Sequence, residues 1–156
     1  MIHVDVEDTA WTEALPDAEA VVTQAAALAL QSGGAGIESQ EVTVLLADDA
    51  AVAELNERFR GKAGPTNVLS FPAPEFAQPH LGDVALAFGV CAREAAEQGK
   101  PLRNHLTHLV AHGVLHLLGW DHHTEEEAEA MEAAERQILA GMDMPDPYGH
   151  EYGAPD

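Results

Sequence analysis

The 156-residue chain has one cysteine, Cys91, which excludes an internal disulfide and a thiolate metal cluster. A small buried hydrophobe is the expected role of that residue. No stretch approaches the roughly 20 apolar residues of a membrane span. The opening residues, MIHVDVEDTAW, lack the basic start and apolar run of a signal peptide, so a soluble cytoplasmic protein is expected. Basic residues are scarce: seven Lys and Arg face 27 Asp and Glu, for a formal net charge of −20. Taken as a whole, that charge argues against a polyanionic partner.

The charge is unevenly spread, however. Residues 1–57 hold twelve acids and no Lys or Arg, and residues 104–156 hold eleven acids against Arg136 alone. The middle, 58–103, carries Arg58, Arg60, Lys62, Arg93, Lys100 and Arg103 against four acids, a balance of +2. A solvated acidic surface explains the flanks; positive charge kept near one site would explain the middle.

The length suits one domain with one core. IHVDV (2–6), EVTVLLA (41–47), NVLSF (67–71) and DVALAF (83–88) read as strands. Helices are expected over 17–31, over 50–59 after a cap at Asp48 or Asp49, and over about 90–98, 101–118 and 125–140. Thr124 and Glu127 form a capping box for the last. RGKAGPTN (60–67) and APEFAQPHLG (73–82) read as loops. No helix separates the third and fourth strands, so they are expected to pair antiparallel. The result is an α+β domain, a small mixed sheet packed by helices, over residues 1–140. The acidic, Gly- and Pro-rich residues 141–156 read as a flexible tail.

HGVLHLLGWDH (112–122) carries the chemistry. On the helix before it, Leu102, Leu106, Leu109, Val110, Gly113 and Leu117 share one stripe, and His105, His108, His112 and His116 form another beside it. Buried imidazoles need partners. His112 and His116, four residues apart, lie one above the other and can share a metal. His108 cannot join them on a straight helix, because eight residues rise about 12 Å; a core role is expected for it. Gly119 lets the chain leave the helix so that His122 can fold back as third ligand, with His123 as the rival. Three imidazoles with an open position describe a catalytic zinc site, although nickel or another ion favouring imidazole is compatible. Asp121 either orients one of these rings from behind or caps the turn.

The spacing is that of H-E-x-x-H-x-x-G-x-x-H metalloproteases, but Gly113 occupies the position of their glutamate base. HGVLHLLGWDH together with LNERFRGKAGPTNVLSFP (55–72) resembles the YbeY family of bacterial single-strand-specific endoribonucleases. The likeness extends over about 40–140. It implies a metalloprotease-like core binding one Zn2+ per chain through His112, His116 and His122. It also implies action on single-stranded and ribosomal RNA: maturation of the small-subunit RNA 3′ end and ribosome quality control, with the ribosome or its associated proteins as partners. It makes Arg60 the functional arginine, in place of the structural ion pair usual for an arginine in an acidic chain. A guanidinium suits the non-bridging oxygens of a phosphodiester, and Lys62 is expected to assist in substrate binding. Asn67 and Ser70 are expected to shape the strand, and Phe71 to fill core. A metzincin-like peptidase and a non-catalytic ribosome assembly factor are the competing readings; Gly113 weighs against the first.

Overall fold

The structure is a computed structural model and describes residues 1–32 and 40–148. Four strands, β1 (Ile2–Val6), β2 (Glu41–Ala47), β3 (Val68–Pro72) and β4 (His80–Ala87), form one sheet in the order β1-β2-β4-β3. β1, β2 and β4 run parallel, and β3 pairs antiparallel with β4. Among the described residues six α-helices accompany them: α1 (Ala10–Ala14), α2 (Ala18–Ser32), α3 (Asp49–Arg60), α4 (Phe88–Gln98), α5 (Leu102–Leu117) and α6 (Glu125–Ala140). The expected mixed α+β architecture is therefore present. The parallel pairs have α-helices in their crossovers, whereas the link that turns β3 back along β4 holds only a single 3-10 turn, Glu75–Ala77.

Alternation along the strands sorts side chains to two faces. Val42, Val44, Leu46, Val84 and Leu86 face α2, α5 and α6 in the main core. Ala47, Leu69, Ala85 and Ala87 face the other way and pack with Val52 of α3. β4 is thus covered on both sides, which explains its nearly continuous apolar run. α5 occupies the centre, touching α2, α4, α6, β3 and β4.

The caps match their sequence signals. The Asp48 side chain accepts from the Ala51 amide at 2.7 Å, and the Thr124–Glu127 capping box is complete. Other features depart from the expectation. α1 was not foreseen; it is held by Trp11, fully buried, whose indole donates to the Ala47 carbonyl at 2.9 Å. β4 begins at His80, because pairing with β2 recruits His80 and Gly82 despite the strand-weakening glycine. Cys91 is fully buried, and burial pushes its thiol up to about 12, as its role as a small hydrophobe requires.

Residues 141–148, the start of the expected tail, make specific contacts with the helices. Pro147 is buried, its carbonyl accepts from Lys100 Nζ at 3.1 Å, and Asp146 pairs with Arg136 at 3.0 Å. Composition signalled disorder, but specific polar partners on α6 and beside α5 hold the segment. The remainder of the expected tail, 149–156, lies outside the described residues. Among the described residues no helix is long and apolar enough to cross a membrane.

Candidate metal centre

α5 sits so close to the sheet that one of its residues must be glycine. A Cβ on Gly113 would stand 2.7 Å from Val84 Cγ1 and 3.2 Å from Ser70 Oγ. Ser70 Oγ also donates to the Gly113 carbonyl at 2.9 Å, tying edge strand to helix. The position that holds glutamate in a metalloprotease therefore faces the sheet here, with no room for a side chain. With that contact made, the neighbouring stripe of histidines turns toward the open side.

α5 ends in a left-handed glycine, as expected: Gly119 has φ +96°. The Gly119 amide donates to His116 O and the Trp120 amide to Leu115 O, both at 3.0 Å, which satisfies the last carbonyls and reverses the chain. That reversal returns His122 to the end of α5. Its ring centroid lies 5.7 Å from His112 and 5.3 Å from His116. The His112 and His116 Nε2 atoms are 3.1 Å apart. Two bonds of about 2.0–2.1 Å at a tetrahedral angle span about 3.3 Å, so these two nitrogens fit one ion as they are. All three donor atoms lie within 4.8 Å of one another, and His122 is the exposed member. Three imidazoles can hold a metal ion here, and their other side faces a cleft.

A residue missed in the sequence explains the ring orientation. Glu135, on α6, is fully buried. Its Oε2 accepts from His112 Nδ1 at 3.0 Å, and its Oε1 accepts from the Tyr148 hydroxyl at 2.6 Å and from His108 Nε2. Burial alone would raise this carboxyl, but the hydrogen bonds from His108, His112 and Tyr148 outweigh it and hold the group at about 2. An ionised carboxylate only accepts, so His112 Nδ1 carries the proton and Nε2 presents its lone pair to the cleft. His116 is lowered below the ordinary histidine value by burial and by the neighbouring His112 and His122, which favours the neutral ligand form. The signal for Glu135 was available: Met131, Ala134, Glu135, Ile138 and Leu139 recur at helical spacing, and one member of that apolar stripe is an acid.

The other expected site residues divide. Arg60, at the end of α3, lines the same cleft as the three histidines, a space of about 670 Å³. Among the described residues it makes no ion pair. Lys62 is exposed and is not on the cleft wall. Asp121 accepts from the His122 amide at 2.8 Å and pairs with His123 Nε2 at 2.8 Å. Its carboxyl is lowered first by that amide hydrogen bond. His123 lines the cleft but is 81 % exposed and committed to Asp121. His108, expected in the core, is only half-buried and reaches Glu135 and Tyr148. Asn67 donates to Glu94 at 3.1 Å, so both it and Ser70 spend their side chains on the protein, as expected of shaping residues. Phe71 packs against the α3-side core and edge-on to Phe59.

Fold and site together define a small α+β protein whose central helix carries two of the three imidazoles of a candidate metal centre, with an arginine on the wall of the same cleft. The family model described as Endoribonuclease YbeY matches residues 5–143. Curated relatives named Endoribonuclease YbeY include one from Paramagnetospirillum magneticum, 51 % identical over 96 % of both chains. Another, from Cereibacter sphaeroides, is 46 % identical over 95 % of this chain and 98 % of its own. A third, from Rhodopseudomonas palustris, is 49 % identical over 94 % of this chain and 80 % of its own. The chain belongs to the YbeY endoribonuclease family. Its fold is shared with the solution structure of TM1509 from Thermotoga maritima, with a TM-score of 0.60 and 24 % identity over 96 % of this chain and 99 % of that one.

Proposed function

We propose that the protein is a zinc-dependent endoribonuclease that cuts single-stranded RNA in the cytoplasm. Its proposed task is maturation of ribosomal RNA, including the 3′ end of the small-subunit RNA, and ribosome quality control. The observation that carries this reading is the meeting of His112, His116, His122 and Arg60 on one cleft in a chain of this family.

His112, His116 and His122 would hold the ion, and a zinc ion there supplies Lewis-acid polarisation of a phosphoryl oxygen and acidifies a bound water toward pKa about 7. Glu135 keeps His112 in the tautomer that binds. Arg60, exposed and without a competing carboxylate among the described residues, is available to hold the non-bridging oxygens that gather charge in the transition state. Arg58 and Lys62 lie within two residues of it. They make this the local exception in an acidic chain, and the negative surface elsewhere disfavours RNA away from the cleft. Gly113 leaves no room for the glutamate base on which peptide hydrolysis depends, so the peptidase reading loses its chemistry at that position.

The test is cleavage of unstructured RNA, duplex RNA and casein by the full chain, each with and without chelator, alongside Arg60→Glu and His116→Ala. Chelator-sensitive cutting of unstructured RNA alone, lost in both variants with the Arg60→Glu melting temperature unchanged, is expected. Casein cleavage would restore the peptidase reading. RNA processing in cells that survives Arg60→Glu would favour a non-catalytic assembly role.

A further inference from the structure

The segment after α6 has the composition of a loose end, yet its described part leads back to the metal centre. We propose that Tyr148 is a positioning residue for that centre: its hydroxyl holds Glu135, and through Glu135 the His112 ring, in the orientation that binds the ion. The proposal rests on the reading of His112, His116 and His122 as ligands.

Glu135 needs such a hold. A carboxylate at the end of a glutamate side chain rotates about its terminal torsion with little preference, and only one of its two oxygens faces His112. Tyr148 and His108 both engage the other oxygen, Oε1, which turns Oε2 toward His112 Nδ1 at 3.0 Å. The phenol O–H···O distance of 2.6 Å is that of a charge-assisted hydrogen bond. His108 and Tyr148 also touch each other, ring edge to face at 5.2 Å, so three side chains close around one carboxylate.

Tyr148 is placed by contacts outside the site. Its amide donates to Asp146 Oδ1 at 2.8 Å, and Asp146 is itself paired with Arg136. The Arg136 guanidinium lies 5.4 Å from the Tyr148 ring centroid, and Lys100 Nζ holds the preceding carbonyl of Pro147. These contacts fix the backbone and one ring face, leaving the hydroxyl to reach inward. Tyr148 lines both the main cleft and a second cavity of about 320 Å³, whose wall also includes His112, His122 and Glu135. The side chain that orients Glu135 therefore lies at the metal centre itself. Without the hydroxyl, water takes its place and the carboxylate is less narrowly aimed.

Loss of a partner bonded directly to a metal-binding histidine typically weakens metal binding about 10–100-fold. Tyr148 acts one bond further out, so about a three- to tenfold loss is expected. The experiment is zinc affinity of the full chain by competition with a chromophoric chelator, together with the melting temperature of the metal-free protein. Tyr148→Phe, which keeps the ring, should bind zinc about three- to tenfold more weakly with an unchanged metal-free melting temperature. Added to Glu135→Gln, it should weaken binding no further. Wild-type zinc affinity in Tyr148→Phe would overturn the proposal, as would a loss that persists undiminished in the Glu135→Gln background. His116→Ala separates the two levels. If it binds zinc as the wild type does, the ligand assignment falls and this inference falls with it. If it binds weakly while Tyr148→Phe is normal, the inference falls alone.

Discussion

Two of the imidazole–carboxylate pairs on α5 share the same chemistry and have opposite burial. In the first, His105 is buried at 4 % side-chain exposure and its partner Glu94 is 31 % exposed. In the second, Glu135 is buried at 1 % and His112 is 25 % exposed. The inversion separates a structural pair from a candidate functional one. His105 spends Nε2 on Glu94 and has its other nitrogen sealed in the core, where Nδ1 finds no hydrogen-bond partner among the described residues. His112 spends Nδ1 on Glu135 and shows Nε2 to the cleft, 3.1 Å from the Nε2 of His116. A buried carboxylate aims a ring outward; a buried ring only joins two helices. Which member of the pair is exposed decides whether the second nitrogen can meet a ligand.

Removing the partner that makes His112 a ligand pair gives the largest expected effect. His116→Ala should abolish stoichiometric zinc binding and lower RNA cleavage by about three powers of ten, since a catalytic ion supplies several kcal/mol of transition-state stabilisation. Elemental analysis and single-turnover cleavage measure the two; retention of one zinc per chain would erase the distinction between the pairs. Arg60→Ala follows, with about a 10²–10³-fold loss of kcat and an unchanged melting temperature. It tests whether the exposed wall of the cleft does separate work from the partnered histidine wall.

The carboxylates then give the direct contrast. Glu135→Gln should weaken zinc binding about 10–100-fold. Glu94→Gln should leave zinc affinity unmoved and cost about 1–3 kcal/mol of stability, because a buried imidazole loses its ionised partner. Equal effects on zinc affinity would show that the inverted burial has no functional meaning.

The smallest expected effect is a pH dependence from the buried ring. His105 is lowered below its ordinary 6.5, first by burial, with Glu94 acting to raise it and Lys100 and His108 to lower it further. The unfolded chain therefore binds the proton more readily than the folded one. The stabilising contribution is full above pH about 6.5 and is lost as the pH falls through the lower folded value. In chelator, melting temperature should fall between pH 7.5 and 5.5 more steeply for the wild type than for His105→Asn. Parallel slopes would contradict the buried assignment.

Much of this was legible from local signals. Alternation marked IHVDV and DVALAF, β-branched residues marked EVTVLLA, and Thr124 with Glu127 marked the start of α6. The three-histidine cluster was readable because helical spacing and a left-handed glycine are local devices. Glu135 escaped because its role depends on α6 crossing α5, although an acid in an apolar stripe was a usable clue. Tyr148 was hidden by composition: Pro, Gly and Asp around it signal disorder, whereas the side chains that meet it, among them His108, Glu135 and Arg136, belong to α5 and α6. Asp121 is ambiguous between two roles because both lie within one turn of chain; it accepts from the His122 amide and pairs with His123.

By itself, the order of residues determined which side chains share a helix face, where α5 stops, and that two imidazoles stand one turn apart, because these follow from backbone geometry over a few residues. Tertiary structure alone decided which nitrogen of His112 faces the cleft, that Arg60 lines the same cavity, and that Gly113 must lack a side chain. Each of those depends on the close approach of elements far apart in the chain, and no local periodicity encodes such an approach.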